Sequence, residues 1–111
     1  MLGEVVFKMG KASDSVGYFR QALAIDPKLM NAQTGLGKAL IQLKQYPEAA
    51  TAMEEAIRID PNVPSLHLYL SQAYRAIGKT DEAKGEAAIF SRLNQERAHA
   101  RDLEGDRKYP N

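Results

Sequence analysis

The chain has 111 residues, a formal net charge of +1 and no cysteine. Its apolar share of 44% and charged share of 26% are ordinary for one small globular domain. The lack of cysteine excludes disulfides, thiol nucleophiles and cysteine-bound metals, and the small net charge and short apolar runs argue against nucleic-acid binding and membrane insertion.

Two helices are predicted before the first Asp-Pro pair, Asp26-Pro27. Gly10 marks the end of the first helix, since glycine adopts the left-handed conformation of a C-terminal cap without strain. Asp14 lies near the start of the second helix, where an acid can cap the helix and interacts favourably with its dipole. The second helix should end near Asp26, because a residue that precedes proline is disfavoured in the α conformation.

A second helix pair follows over residues 30–63 and repeats the first with a fixed offset. Asp60-Pro61 repeats Asp26-Pro27, and at the same offset residues 21–27 align with residues 55–61 without a gap. Small and apolar residues recur at helical spacing, which predicts two amphipathic helices. They are Leu36, Ala39, Leu40 and Leu43 in the first helix, and Ala49, Ala52, Met53, Ala56 and Ile57 in the second.

A third pair is predicted over residues 64–97. Gly78 again stands at the end of its first helix, and Asp81 stands near the start of its second. The pair departs from the one before it at Ser71, where the second pair has Gly37.

Good helix formers continue after the third pair, so its last helix should run on toward Leu103. Residues 98–111 are therefore expected to be a polar helix end followed by a tail. Gly105 is expected to end the helix, with a disordered end over residues 106–111.

These recurring residues resemble the signature of the tetratricopeptide repeat, a pair of antiparallel helices with small residues where the helices touch. The second pair carries the signature, apart from Gln33 at the usual tryptophan place, at Leu36, Gly37, Leu40, Tyr46, Ala49, Met53, Ala56 and Pro61. The third pair matches it at Leu70, Tyr74, Gly78 and Ala83, departs at Ser71 and Phe90, and lacks the closing proline. The resemblance implies an all-α, right-handed helical-repeat solenoid of about two and a half repeats with a C-terminal helical extension.

The first repeat, residues 1–29, begins in the middle of its first helix in this alignment. We therefore expect Met1 to be a truncation point, and the chain to be the C-terminal part of a larger protein. The missing turn should leave Leu2, Val6 and Phe19 without full cover. Such an N-terminal face predicts self-association of the chain.

In this family the first helix of each repeat lines a concave groove that binds a peptide or a protein segment. The resemblance places the groove here at Glu4, Phe7, Lys8, Asn31, Thr34, Lys38, Ile41, Gln42, Ser65, Leu68, Gln72 and Arg75. Phe7, Ile41 and Leu68 would form an apolar streak, with cations such as Lys38 and Arg75 beside it. Such a surface suits a ligand with apolar anchors and acids, although each residue is as easily an ordinary solvated side chain.

One subfamily of these repeats clamps the C-terminal carboxylate of chaperones with Lys and Asn at fixed places in the groove. Four of those places hold Thr34, Lys38, Ser65 and Tyr69 here. Only Lys38 has a suitable charge, and its place normally holds Asn. The carboxylate clamp is therefore not expected in this chain.

The residue pattern favours neither catalysis nor a metal or other cofactor. His67 is expected to be a packing residue near a helix start, and His99 lies in the polar end of the chain. The acids of Glu54-Glu55 point to different faces of a helix. Nucleophile motifs and phosphate-binding loops are absent from the sequence.

The leading interpretation is a non-catalytic protein–protein interaction module that binds a peptide or protein segment in its groove. Two alternatives remain open: an assembly element that self-associates through its N-terminal face, and a scaffold domain attached to an enzyme. Residues 1–6 lack the basic start of a signal peptide, and the compartment, cytoplasmic or periplasmic, remains open.

Overall fold

The computed structural model describes residues 2–108, except the side chains of Val6 and of residues 102–108. Every regular element in that part of the chain is an α-helix. The helices are α1 (Leu2–Lys8), α2 (Ala12–Ile25), α3 (Met30–Gln42), α4 (Tyr46–Ile59), α5 (Pro64–Ala76) and α6 (Thr80–Lys108).

Each helix packs against the next along the chain, so α1 with α2, α3 with α4 and α5 with α6 form three successive pairs. The pairs stack through contacts of α2 with α3 and of α4 with α5. This arrangement confirms the predicted helical-repeat solenoid. The division into repeats at residues 1–29, 30–63, 64–97 and 98–111 remains our proposal.

Phe19 of α2 holds the first two pairs together and has no exposed surface. Glycines lie against its ring from two sides, because a Cβ atom added at Gly3 or Gly35 would lie 2.8 Å or 2.3 Å from the nearest ring carbon. The expectation that Phe19 would lack cover is therefore wrong, because both α1 and α3 approach its ring. Leu2, by contrast, is exposed as expected, and the side chain of Val6 lies outside the described residues.

The Gly3–Phe19 contact recurs one repeat later as a contact between Gly37 of α3 and Met53 of α4. A Cβ atom at Gly37 would lie 2.5 Å from the Met53 methyl carbon. The next positions in this series are Ser71 and Ala87. Ser71 is buried, and its hydroxyl donates a hydrogen bond of 2.8 Å to the Ala83 carbonyl of α6. In α6 the small Ala87 takes the place of Met53, and in α5 the larger Ser71 takes the place of Gly37. The smaller partner accounts for the departure from glycine at Ser71.

The two Asp-Pro pairs form the corners between helix pairs, as the sequence predicted. α2 ends at Ile25 and α4 ends at Ile59, each directly before its aspartate. The Asp26 Oδ1 atom accepts a hydrogen bond of 3.0 Å from the Lys28 amide, and Asp60 Oδ1 accepts the equivalent bond from Asn62. The aspartates thus close the turn that the prolines begin.

Three residues at equivalent places in the repeats end the first helix of each pair in the left-handed conformation: Gly10, Lys44 and Gly78, with φ of 81°, 62° and 84°. The amides of Gln45 and Lys79 donate bonds of 2.8 Å back to Leu40 and Tyr74, as in a Schellman cap. The predicted glycine caps are confirmed. The predicted cap at Asp14 is not, because α2 begins after Lys11 with no side-chain cap, and Asp14 lies within its first turn.

The last helix, α6, runs from Thr80 to Lys108 over 29 residues. The prediction that Gly105 ends this helix is wrong, because the backbone continues through it, while the last three residues of the predicted tail lie outside the described part. Among the described residues, no helix is both long and apolar enough to cross a bilayer.

We expect the Gly35→Ala variant to unfold more easily, because its methyl group would overlap the Phe19 ring. Overpacking of this kind costs about 1–3 kcal/mol in the free energy of unfolding. The matched control is Gly17→Ala in α2, where an added Cβ has no neighbour within 4 Å. It should stabilise the chain by about 0.5–1 kcal/mol. Thermal unfolding followed by circular dichroism measures both, and equal effects of the two changes would contradict the role given to Phe19.

The Lys44→Gly variant should be more stable than the natural chain, since a left-handed conformation is strained for lysine. Part of that gain is offset by the greater freedom of glycine in the unfolded state, which leaves about 0.5–1 kcal/mol. The reciprocal change, Gly78→Lys, should destabilise the chain by a similar amount. Chemical denaturation of both variants tests this prediction, which fails if Lys44→Gly lowers the midpoint.

Candidate interaction groove

The first helices of the three pairs form a row, since α1 contacts α3 and α3 contacts α5. Lys38 lies at the centre of this row. Its ammonium nitrogen is 5.8 Å from the ring centre of Phe7 on α1 and 5.7 Å from that of Tyr69 on α5. The ammonium group therefore makes cation–π contacts with the helices on both sides of its own.

A cavity of about 130 Å³ opens beside Lys38, between α1 and α3. Its lining residues are Glu4, Phe7, Lys8, Phe19, Asn31, Thr34, Gly35 and Lys38. Six of the predicted groove residues thus line one cavity: Glu4, Phe7, Lys8, Asn31, Thr34 and Lys38. Because the cavity has two cations, one acid and several apolar atoms, it combines positive charge with an apolar surface.

The other predicted groove residues lie on α3 and α5, outside this cavity. Ile41 and Leu68 are half-buried, and Ile41 packs against the core. Gln42, Gln72 and Arg75 are exposed. Of the predicted apolar streak, Phe7 lines the cavity, and Ile41 and Leu68 are not among its lining residues.

Tyr69 lies beside Lys38, although the predicted groove lining did not include it and the sequence analysis named it only as a clamp position. The offset of one repeat leads from Lys38 to Gln72, which was predicted instead. Tyr69 lies one helical turn before Gln72, so its ring reaches back toward Lys38. The preceding turn of the next first helix was the signal that would have identified it.

A second polar cluster joins α4, α5 and α6 around Tyr74. Its hydroxyl donates a hydrogen bond of 3.1 Å to Glu54 Oε1, and the Lys79 ammonium lies 5.6 Å from its ring centre. Burial, followed by the negative charge and hydrogen bond of Glu54 and the charges of Glu86 and Glu82, raises the pKa of Tyr74 to about 12. The phenol is therefore protonated and serves as a donor between α5 and α4.

His67 is buried as predicted, but it also joins α5 to α6 and to the Asp-Pro corner. Its Nδ1 atom lies 2.6 Å from Glu86 Oε2, and its Nε2 atom lies 2.7 Å from the Pro61 carbonyl oxygen. Since a carbonyl only accepts, Nε2 carries a hydrogen and donates it. The contact of Nδ1 with Glu86 then links α5 to α6. Glu86 lies on the following helix, and its pairing with His67 was not predicted.

The buried polar side-chain atoms of the described residues are all paired. Every buried side-chain nitrogen or oxygen among them has a hydrogen-bond partner. In that same part of the chain, no group of three or more His, Cys, Asp or Glu side chains is placed to bind a metal ion.

The stacked helix pairs and the row of first helices define a helical-repeat solenoid of the class that serves protein–protein interaction. Two family models match the chain, and both are described as a tetratricopeptide repeat. One covers residues 1–64 and the other covers residues 44–105. The chain therefore belongs to the tetratricopeptide repeat family, whose members are generally non-catalytic modules for protein–protein interaction.

Two curated relatives are similar over most of this chain. The inactive TPR repeat-containing thioredoxin TTL3 of Arabidopsis thaliana is 26% identical over 83 residues, which cover 75% of this chain and 12% of the relative. The small glutamine-rich tetratricopeptide repeat-containing protein 2 of Mycosarcoma maydis is 27% identical over 85 residues, which cover 77% of this chain and 24% of the relative. The chain thus spans less than a quarter of the length of either relative.

Solved structures share the fold. The second TPR of Spaghetti (RPAP3), bound to the HSP90 peptide SRMEEVD, superposes with a TM-score of 0.79 at 23% identity, over 82% of this chain and 84% of that one. MamA superposes with a TM-score of 0.81 at 21% identity, over 88% of this chain and 57% of that one. At these identities the likeness shows the common fold alone.

The Glu54→Gln variant should lower the pKa of Tyr74 from about 12 toward its ordinary value of 10.0, because it removes the nearest negative charge. Since the folded chain holds this proton more tightly than the unfolded chain, the contribution of Tyr74 to stability is complete below about pH 10 and is lost as the pH rises toward 12. Difference absorbance titration against Tyr74→Phe isolates this tyrosine. Glu55→Gln, whose carboxylate pairs with Arg58, is the control and should leave the titration unchanged.

Proposed function

We propose that this chain is a non-catalytic module that holds an extended protein segment along α1, α3 and α5, with an acidic group of the segment on Lys38. The observation that carries the proposal is the position of the Lys38 ammonium between the rings of Phe7 and Tyr69. The rings limit where this cation can lie, so less side-chain freedom is lost when it binds an anion. They also offer apolar surface on both sides of the charge.

The cavity beside Lys38 limits the size and the polarity of the ligand group that binds next to the acidic one. A volume of about 130 Å³ accommodates about one side chain, and Phe7 and Phe19 supply apolar walls. Asn31 and Thr34 add side chains that can donate to and accept from an extended backbone. We therefore propose a ligand with an acidic residue next to a small apolar one.

The rest of the proposed groove continues along α3 and α5. Gln42, Gln72 and Arg75 are exposed there and are available to polar groups of a longer segment. Arg75 places a further cation at the C-terminal end of α5, which supports a second acid in the ligand.

The proposed ligand differs from the chaperone peptide bound by Spaghetti (RPAP3). Tyr69 stands at a place where the carboxylate clamp has a polar or cationic side chain, and its ring is already in contact with Lys38. We therefore propose recognition of an internal acidic and apolar segment, with no requirement for a free C-terminal carboxylate. The curated relatives carry the matched region within much longer chains, which supports a role as one part of a larger protein.

Selection from a library of random linear peptides displayed on phage, with this chain as the immobilised target, tests the proposal. We expect enrichment of Asp or Glu beside Leu, Ile or Val. Fluorescence anisotropy with a selected peptide should then show a Kd raised about 10-fold or more by Lys38→Glu, because the change reverses the charge at the centre of the groove.

The matched control is Lys84→Glu, which makes the same change of charge at an exposed position of α6 outside the cavity. It should alter the Kd by less than about 2-fold, because α6 contributes no residue to the cavity and exposed charges are screened by physiological salt. If the two variants weaken binding equally, or if Lys38→Glu has no effect, the assignment of the groove is wrong.

A further inference from the structure

A cleft of about 340 Å³ lies between α2 and α4, over buried residues of α3, and we call it the α2–α4 cleft. Two of its floor residues, Leu36 and Leu40, are each two positions from Lys38 in α3. At about 100° per residue, they lie on nearly the opposite side of that helix. The cleft is therefore separate from the groove. The residues that define it are Arg20, Leu23, Leu36, Leu40, Glu48 and Ala52.

The α2–α4 cleft has an apolar floor and a charged rim. Leu36, Leu40 and Ala52 are buried in the floor. At the rim, Arg20 Nη2 lies 3.1 Å from Glu48 Oε2, and both side chains are 57% exposed. A guanidinium has several donors and a carboxylate several accepting positions, so this exposed pair retains hydrogen-bonding capacity for a further partner. A side chain with an apolar body and a polar tip matches both parts of the cleft.

The two junctions between successive helix pairs share one plan, which allows the cleft to be compared with the second junction. Gln33 Nε2 donates to the Pro27 carbonyl oxygen over 3.5 Å. Its equivalent one repeat later, His67, donates from Nε2 to the Pro61 carbonyl oxygen over 2.7 Å. Each residue thus joins the first helix of its pair to the preceding Asp-Pro corner.

The second junction holds larger side chains where the first has the cleft. Tyr74 stands at the place of Leu40, and Glu86 stands at the place of Ala52. The Tyr74 ring packs against the core, and its hydroxyl reaches α4 and donates a hydrogen bond of 3.1 Å to Glu54 Oε1. The smaller leucine and alanine of the first junction leave this room open.

We propose that the α2–α4 cleft is a second binding site and takes the tyrosine side chain of a partner protein. The phenol ring lies over Leu36 and Leu40, in the room that Tyr74 fills at the next junction. Its hydroxyl reaches the rim, where it donates to the Glu48 carboxylate and accepts from the Arg20 guanidinium. Such a ligand repeats, from outside, the contact that this chain makes with its own tyrosine one repeat later.

The charged rim lies where this ligand requires it. The Tyr74 hydroxyl is held by Glu54 of the preceding second helix, and Arg20 is the residue equivalent to Glu54. A phenyl or aliphatic group would cover the Arg20–Glu48 pair without replacing its lost water, and a charged group would lie against the leucines. The cleft is also large enough for a ring, since about 340 Å³ exceeds the cavity of about 130 Å³ beside Lys38.

Titration of the isotope-labelled whole chain with N-acetyl-L-tyrosinamide, followed by NMR, tests the proposal. We expect shifts at the amides of Leu23, Gln33 and Thr51, which line the cleft on its three helices. A single side chain buries little surface, so the expected Kd is on the order of 1 mM. N-acetyl-L-phenylalaninamide, which lacks the hydroxyl, should bind about 3- to 10-fold more weakly.

Two substitutions fill the cleft from different helices. Leu40→Tyr brings the side chain of the second junction into the first, and Ala52→Met extends into the cleft from α4. Each should raise the Kd for the tyrosine amide at least about 10-fold, because the variant's own side chain takes the place of the ligand. Circular dichroism checks that the helices are intact, and either variant alone is sufficient for the test.

The rim is tested separately at exposed positions, where a substitution leaves the core unchanged. Arg20→Ala and Glu48→Ala should each remove the preference for the tyrosine amide over the phenylalanine amide, because the hydroxyl then loses a partner. The matched control is Glu82→Ala, which removes the same charge at the equivalent exposed place of α6, outside the cleft. It should leave both affinities unchanged.

Several results would overturn the proposal. Amide shifts that are absent, or that are confined to Phe7 and Lys38 in the groove, exclude the cleft as the site. Binding that survives both Leu40→Tyr and Ala52→Met excludes it as well, and equal affinity for the two amides excludes a role of the hydroxyl. Lys38→Glu should bind the tyrosine amide like the natural chain, so a failure of the groove and a failure of the cleft are told apart.

Discussion

The close approach of the helices around Phe19 is the constraint on which the arrangement of this solenoid depends. One aromatic ring fills the space between α1, α2 and α3, and it fits because Gly3 and Gly35 have no side chains. Interaxial distances follow the side chains at the contact, so these glycines bring the backbones of α1 and α3 close to the ring. The same rule operates at Gly37 and Met53, with a thioether in place of the ring.

The groove is a consequence of that spacing. Lys38 reaches ring centres on α1 and α5 at nearly equal distances, 5.8 Å and 5.7 Å, because the first helices follow one another in a regular row. The cation and its two rings come from three different repeats, so their arrangement depends on how the repeats stack. The packing of Phe19 between α1, α2 and α3 therefore helps to determine the geometry of the groove through the positions of these helices.

Features encoded locally were predictable from the sequence, and features created by packing were not. The helix ends at Asp26 and Asp60 and the caps at Gly10 and Gly78 depend on a few neighbouring residues. The row of first helices was also predictable once the repeat was recognised, and it identified six residues of the cavity. The contact of Tyr69 with Lys38 was missed because the ring reaches back one turn toward another helix. The cover of Phe19 and the pairing of His67 with Glu86 likewise join separate helices, and Gly105 remained helical against its propensity.

The proposed groove includes α1, and this has a thermodynamic consequence. α1 has seven residues, which is too short to be stable alone, so its helical state depends on its packing against α2 and α3. Phe7 and Lys8 need that helix to be formed in order to complete the groove. A ligand that contacts them therefore binds the folded helix, and its binding stabilises the packing of α1 on the rest of the solenoid.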